Sequence, residues 1–85
     1  MNSISFIFED GSVETRRVLS SLKGIRKGIK RPIKVDFSNI DKEEVLRYTE
    51  VDIYKFKRFI NDLSYVLQGG KPINPPEWVK EYIYG

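Results

Sequence analysis

The sequence predicts an α+β protein in which an N-terminal β-hairpin and a third strand form a small sheet packed against helices, in the order ββαβααα. Three observations predict this class. Apolar and polar residues alternate near the N-terminus and again at 33–37, as they do in half-buried strands. After position 52 the apolar residues recur every three or four positions, which is typical of a helix. The length of 85 residues allows one domain, spanning 1–85.

The first two strands form the hairpin. The buried side of the first strand consists of alternating apolar residues, namely Ile4, Phe6 and Phe8. Asp10-Gly11 follows and predicts a two-residue type I′ turn, because both central residues of that turn need positive φ. Residues 12–18 then pair back on the first strand, with Phe6 opposite Thr15.

Residues 19–31 predict a helix that begins at Ser20 or Ser21, since serine is a favourable N-cap residue. Its apolar stripe would consist of Leu22, Ile25 and Ile29. Gly24 and Gly28 each weaken such a helix by about 1 kcal/mol relative to alanine. A basic loop broken by these glycines is therefore the alternative for this segment.

The second half of the chain predicts one more strand and three helices. Pro32 ends the preceding segment, and the alternation at 33–37 predicts the third strand. A short helix is expected at 41–48, and the longest helix at about 50–68. The apolar stripe of the longest helix consists of Ile53, Phe56, Ile60, Leu63 and Leu67.

Local signals set the ends of the longest helix. Thr49 and Asp52 have the spacing of a capping box at its start. The glycine pair Gly69-Gly70 predicts a left-handed stop at its end. Residues 71–74 then predict a loop.

The last helix is expected to begin at Asn74 as N-cap, with Pro75 in the first helical position. Trp78 and Tyr82 fall on its apolar face, where they either close the core or anchor the chain to a partner, and we favour the first role. The predicted core consists of Ile4, Phe6, Phe8, Leu22, Ile25, Ile29, Val35, Phe37, Phe56, Ile60, Leu63, Leu67 and Trp78.

Charge is distributed unevenly along the chain. The net charge is +3, yet residues 15–35 contain no Asp or Glu and carry +8. The cations of this basic segment are Arg16, Arg17, Lys23, Arg26, Lys27, Lys30, Arg31 and Lys34. Residues 1–14 carry −3 and residues 36–85 carry −2, so the protein is dipolar with one basic patch.

A basic patch without acidic neighbours is typical of proteins that contact nucleic-acid phosphates, through counterion release and charge-assisted hydrogen bonds. We therefore expect a small nucleic-acid-binding protein whose eight cations contact the backbone of DNA or RNA. The chain has neither an RNA-recognition aromatic motif nor a zinc-finger pattern, so base-specific readout is not expected. An acidic protein surface as partner, and a merely solvated surface, are the open alternatives.

Catalysis is not expected of this chain. It has no histidine and no cysteine, which excludes the common nucleophile–base pairs and zinc sites. It also lacks a glycine motif for binding nucleotide phosphates. No cofactor and no metal site are therefore expected.

The alternative function is a protein-interaction module: a small subunit, adaptor or inhibitor that docks on a larger complex, through Trp78 and Tyr82 or through the basic segment. The order of a hairpin at Asp10-Gly11, a helix and a strand at 32–37 before further helices resembles that of POZ-type adaptors. The resemblance is one of topology, covers the larger part of the chain and implies an adaptor role. An edge strand of so small a sheet could also pair across a homodimer.

Composition also bears on the cellular setting. No apolar run is long enough for a membrane span or a signal sequence, and a chain without cysteine has no need of an oxidising compartment. We therefore expect a cytoplasmic protein without membrane association. The many charged residues and the single glutamine suit a thermophilic host or a virus.

Overall fold

A mixed sheet with the strand order β2-β1-β3-β4 forms one layer of the protein, and helices form the other. The computed structural model describes residues 2–25, 31–41, 47 and 52–84. The elements are β1 (Ser3–Phe8), β2 (Val13–Arg17), β3 (Pro32–Asp36), α1 (Ile53–Leu67), β4 (Lys71–Ile73) and α2 (Glu77–Val79), which continues as a π-helical turn over Lys80–Tyr84. This architecture confirms the predicted α+β class, with a hairpin and a third strand packed against helices.

The hairpin turn differs from the predicted type I′ turn. Phe8 N–H donates to Ser12 O at 2.9 Å and Gly11 N–H donates to Phe8 O at 3.0 Å, so the loop has three residues. Only Gly11 has positive φ, at 86°. The Asp10 carboxylate accepts from Ser12 N–H at 2.9 Å, and this side-chain contact stabilises a turn in which Asp10 keeps negative φ. A three-residue loop that ends in a left-handed glycine results.

The longer loop shifts the strand register by one residue. Phe6 lies opposite Glu14 rather than Thr15, and Ile4 lies opposite Arg16. Because side chains alternate between the two faces of a strand, this shift moves every side chain of β2 to the other face. Arg16 therefore lies on the helix-covered face, whereas Arg17 lies on the opposite face of the sheet, which we call the open face.

A fourth strand, β4, replaces the loop that was expected at 71–74. It pairs in parallel with β3, so that Lys34 lies beside Lys71 and Asp36 beside Ile73. Parallel strands need a long crossover, and α1 lies in the connection between the two. The sequence prediction missed β4 because three residues that include a proline have no detectable alternation.

The segment 18–25 forms turns, so the predicted helix over 19–31 is wrong in its described part. Gly24 has a φ of 92°, which no α-helix can contain. Leu22 and Ile25 are nevertheless buried, because the turns direct both side chains into the core. Residues 26–30 lie outside the described residues.

The helix starts also differ from prediction. Asp52 is the N-cap of α1 and its carboxylate accepts from Lys55 N–H at 3.0 Å; Thr49, its predicted capping partner, lies outside the described residues. Asn74 is not an N-cap; its φ is 51° and its amide donates to Ser38 Oγ at 2.8 Å. Pro76 takes the N-cap position of α2, since a residue that precedes a proline is disfavoured in the helical region and Pro75 therefore cannot begin the helix.

The core lies between the covered face of the sheet and the helices. It consists of Ile4, Phe6, Phe8, Val18, Leu22, Ile25, Val35, Phe37, Phe56, Phe59, Leu63, Val66, Leu67, Trp78 and Val79. All predicted core residues are among them except Ile60, which is partly buried against the cluster, and Ile29, which lies outside the described residues. In the described part of the chain, no helix is both long enough and apolar enough to cross a bilayer.

Most of the helix predicted at 41–48 falls on residues that the structure does not describe, so that prediction is left as it stands. Arg47 is described and is helical. Neither Gly69 nor Gly70 has positive φ, so the predicted left-handed stop after α1 is wrong. Gly70 instead permits a close approach to β3, because a Cβ there would lie 3.0 Å from Val35 Cγ2.

Candidate nucleic-acid interface

Five of the eight predicted phosphate-contacting cations lie in the described residues, and the structure places them in different settings. These five are Arg16, Arg17, Lys23, Arg31 and Lys34. The other three predicted contacts, Arg26, Lys27 and Lys30, lie outside the described residues. Two of these cations belong to β2, one to the loop after it, one to the middle of β3 and one to the residue before β3.

Arg16 is committed to contacts within the protein. Its Nη2 pairs with Glu14 Oε2 at 3.1 Å, and its Nη1 donates to the carbonyl oxygens of Ser21 at 3.1 Å and Lys23 at 3.5 Å. These bonds tie the loop that follows β2 back onto the strand. The side chain keeps one-third exposure, so it adds positive charge to this surface while it fixes the loop.

Arg17 and Lys34 both lie on the open face, but the structure does not bring them together. Arg17 is opposite Ser3 on β1, and Lys34 is opposite Ile7. Four residues along the strand and two strand spacings across the sheet separate them by about 16 Å. This separation suits contacts with successive phosphates of one strand rather than with a single phosphate.

Lys34 has a cationic neighbour that the sequence analysis missed. Lys71 of β4 is its register partner on the open face. Both side chains are exposed, and no carboxylate of the described residues pairs with either. The sequence did not indicate that Lys71 lies next to Lys34, because residues 71–74 were predicted to form a loop and not a strand of the same sheet.

Lys23 and Arg31 lie at the two ends of the segment 24–30, and both are exposed. Lys23 follows Ser21, whose Oγ accepts from Lys23 N–H at 3.2 Å. Arg16 donates hydrogen bonds to the carbonyl oxygens of Ser21 and Lys23. The backbone of Lys23 is therefore held in place by β2.

A second missed group lies on α1, next to this loop. A cavity of about 240 Å³ separates the loop from the helix. Its lining consists of Leu19, Ser20, Ser21, Lys55, Arg58, Phe59 and Asp62. Although α1 carries both acidic and basic side chains, its first two turns contribute Lys55 and Arg58 to this cavity. Their spacing of three residues is the sequence signal that both belong to one helix face.

Trp78, predicted as a residue that closes the core or binds a partner, is only 5% exposed. Its ring meets Phe37 and Phe56 edge-on, with centroids 6.3 Å and 5.8 Å apart. Tyr82 also meets Phe56 edge-on, at 5.6 Å, but it is 58% exposed. In this structure Trp78 closes the core, whereas Tyr82 presents part of its ring to the surface.

A larger cavity of about 530 Å³ lies beside the α2 end of the molecule. It is lined by Phe37, Ser38, Ile40, Asn74, Pro75, Pro76 and Lys80. Among the described lining residues Lys80 is the only cation, and its Nζ pairs with Glu77 Oε1 at 3.6 Å. The described lining of this cavity thus offers an anionic ligand no cation without a carboxylate partner.

Burial raises the pKa of Tyr84, which lies near the end of the chain and not among the cations of the basic segment. Within the described residues, no cluster of three His, Cys, Asp or Glu side chains is placed to bind a metal ion. What the interface presents is fixed positive charge together with serine hydroxyls.

Comparison with known proteins adds no relative to this description. No protein-family model, no curated protein and no solved structure matches the chain.

Proposed function

We propose that this protein is a non-enzymatic nucleic-acid-binding protein that contacts the phosphate backbone of DNA or RNA. The main observation in support is the basic segment, in which eight cations and no acidic residue occur between positions 15 and 35. Such a concentration of positive charge favours polyanions, because each phosphate contact releases condensed counterions. The proposed contacts are those named from the sequence: Arg16, Arg17, Lys23, Arg26, Lys27, Lys30, Arg31 and Lys34.

The described geometry supports this proposal in one respect and modifies it in another. Of the five described cations only Arg16 pairs with a carboxylate of the described residues, which favours the other four as contacts for a ligand. Arg17 and Lys34 lie far apart, so we propose a distributed set of backbone contacts with Lys55, Arg58 and Lys71 added to the eight. Backbone contacts carry no sequence information by themselves.

The test is fluorescence anisotropy of a labelled 20-base-pair duplex and a labelled single-stranded RNA over a salt series. We expect the logarithm of affinity to fall linearly with the logarithm of salt concentration, with a slope of about −0.9 for each phosphate contacted on duplex DNA. Several contacts should therefore give a slope of about −3 or steeper. Absence of binding to both ligands at low salt would overturn the proposal.

A charge-matched pair of variants separates the basic segment from net charge alone. Lys23→Gln removes a cation without a described carboxylate partner, whereas Lys80→Gln removes one that is already paired with Glu77. Both variants lower the net charge by one. We expect Lys23→Gln to reduce the slope by about one contact and Lys80→Gln to leave it near the wild-type value.

A second candidate function is a protein-interaction module, possible partners being acidic protein surfaces or a second copy of the chain. The observation that favours it is a set of exposed apolar side chains in the sheet: Val13, opposite Ile7 on the open face, is 56% exposed, and Ile33, next to Lys34 in β3, is 43% exposed. Exposed apolar side chains next to cations suit an acidic partner with an apolar centre. Light scattering tests self-association, and loss of it in Val13→Ser would support a homodimer.

We further propose a cytoplasmic setting, because nucleic acid is the proposed ligand and the chain contains no cysteine. The composition suits a thermophilic or viral origin. A melting temperature above about 90 °C would support the thermophilic alternative.

A further inference from the structure

We infer that the cavity between the loop 19–21 and α1 is a binding site for one phosphate group, formed by Ser21, Lys55 and Arg58. We call these three residues the phosphate site. The inference deepens the proposed function, on which it rests for the source of the phosphate, a nucleic-acid backbone. It adds to the basic segment a defined position that only the folded chain can form.

The two cations of the phosphate site lie close together on the helix. Lys55 and Arg58 are three residues apart, which separates them by about 4.5 Å along the helix axis. Both side chains are exposed, and neither pairs with a carboxylate of the described residues. Like charges at this spacing repel each other. A bound anion would relieve that repulsion and accept hydrogen bonds from both groups.

The serine hydroxyls of the loop have different capacities. Ser20 Oγ–H donates to Arg17 O at 2.6 Å, so its proton is in use. Ser21 Oγ accepts from Lys23 N–H at 3.2 Å, which leaves its own proton for another acceptor. Ser21 can therefore donate to a phosphate oxygen, while Ser20 stabilises the turn.

The loop is held in a conformation that the chain would not adopt freely. Leu19 has a φ of 71°, which is rare for a bulky residue without a polar side chain. Arg16 holds the following residues through Ser21 O. Strained backbone that persists because its surroundings hold it is common at binding sites. Here the Arg16 bond fixes the backbone of Ser21, a residue that lines the cavity beside α1.

The size and the acidic edge of the cavity define the ligand. Its volume of about 240 Å³ is smaller than the ~300–1,000 Å³ of pockets that enclose drug-sized ligands. A phosphate group fits such a space, whereas an enclosed nucleotide does not. Asp62 also lines the cavity, about 6 Å along the helix axis from Arg58 and about 10 Å from Lys55. Because this carboxylate repels an anion, the phosphate is placed toward the Lys55 end, and Arg58 binds it from the side nearer to Asp62.

The experiment compares two double variants that have the same net charge. Lys55→Gln/Arg58→Gln removes both cations of the phosphate site. Lys57→Gln/Lys80→Gln removes two exposed lysines that do not line this cavity. Both are measured in the anisotropy salt series with the duplex, and by NMR titration with inorganic phosphate, with chloride at equal ionic strength as the reference. Thermal melts establish that both variants fold.

We expect the site variant to lose about one phosphate contact, so that its salt slope is smaller than the wild-type slope by about 0.9. Its affinity for the duplex at low salt should fall about three- to tenfold, since exposed charge-assisted bonds are partly screened. In the wild type, inorganic phosphate should shift the amide signals of Ser20 and Ser21, and the site variant should lose these shifts. The control variant should keep both the shifts and the slope.

The two proposals fail in different ways. If the wild type binds the duplex but the site variant matches the control in slope and in phosphate shifts, the phosphate site is refuted and backbone binding stands. If the wild type binds neither duplex nor RNA at low salt, the proposed function is refuted. Phosphate shifts that persist in that case would show an anion site that serves a free phosphate group rather than nucleic acid.

Discussion

Gly70 lies where the chain passes from α1 to β4, against the middle of the sheet. A Cβ at this position would lie 3.0 Å from Val35 Cγ2 and 3.1 Å from the carbonyl oxygen of Pro32. Val35 is fully buried, and the carbonyl oxygen of Pro32 is part of the β3 backbone, so neither atom can move without disturbing the sheet. Glycine is therefore required here for the close approach of two segments.

We expect Gly70→Ala to lower the free energy of unfolding by about 1–3 kcal/mol, the usual cost of overpacking a core. Gly69→Ala is the control, because a Cβ there meets no atom within 4 Å and the φ of Gly69 is not positive. The control should be neutral or more stable by about 0.4–1 kcal/mol, since alanine reduces the entropy of the unfolded chain. Urea unfolding followed by far-UV circular dichroism measures both; equal stabilities would contradict the packing argument.

Arg16 and Arg17 show how the strand register determines the surroundings of a side chain. They are neighbours in the sequence, but they lie on opposite faces of β2. Arg16 reaches the loop carbonyl oxygens on the covered side, whereas Arg17 lies on the open face opposite Ser3. The charge of the basic segment can be counted from the sequence. Which face of the sheet each arginine occupies depends on the length of the hairpin turn, which the Asp10–Ser12 hydrogen bonds stabilise.

At the level of elements, strong periodicity made some predictions reliable. The alternation in β1 and the spacing of Phe56, Leu63 and Leu67 in α1 correspond to buried faces, because each pattern persists over enough residues to define a face. Ile53, predicted on the same stripe, is the first residue of α1 and is 42% exposed, so its predicted place on the buried face is wrong. Gly24 and β4 could not be placed in this way. The positive φ of Gly24 and the three-residue length of β4 depend on tertiary contacts rather than on local pattern.

The pairing of β4 with β3 has an electrostatic cost that can be measured. Lys34 and Lys71 are register partners on the open face, and like charges in adjacent positions of a sheet repel. We expect stability at low ionic strength to rise in the order wild type, Lys71→Gln, Lys71→Glu. The glutamate variant should gain about 0.2–1 kcal/mol through an opposite-charge pair with Lys34.

Urea unfolding at two salt concentrations measures this order. Raising the salt concentration to 1 M should reduce the differences among the three proteins, because the Debye length is then about 3 Å, shorter than the ~5 Å between adjacent strands. An unchanged order of stabilities at 1 M salt would indicate that the substitutions act through packing or strand propensity. Equal stabilities at low salt would show that the two lysines do not interact.

At the level of the whole molecule, the proposed interface combines segments that are distant in the sequence. The loop 19–21 and α1 meet only because the helix packs on the same sheet face to which Arg16 ties the loop. A sequence can reveal an acid-free interval, but it cannot show that Lys55 and Arg58 border a cavity beside Ser21. Binding that requires the folded arrangement of cations can therefore be distinguished from binding that requires only the charge of the basic segment.

This distinction leads to a prediction for thermal unfolding in the presence of duplex DNA. A ligand that binds only the folded protein raises its stability by about 2.7 kcal/mol at a free concentration of 100 times Kd. For a domain of this size the melting temperature should then rise on the order of 10 °C or more. Scanning calorimetry at low salt measures the shift, with the duplex alone as baseline.

The presence or absence of this rise in melting temperature distinguishes two ways in which the same positive charge can bind. If the cations act as a linear basic segment, the unfolded chain binds the duplex as well as the folded one does, and saturating duplex leaves the melting temperature unchanged. If the interface requires the fold, the shift is positive and decreases in Lys55→Gln/Arg58→Gln more than in Lys57→Gln/Lys80→Gln. Binding without a positive shift would show that the arrangement of the cations in the folded protein contributes nothing to affinity.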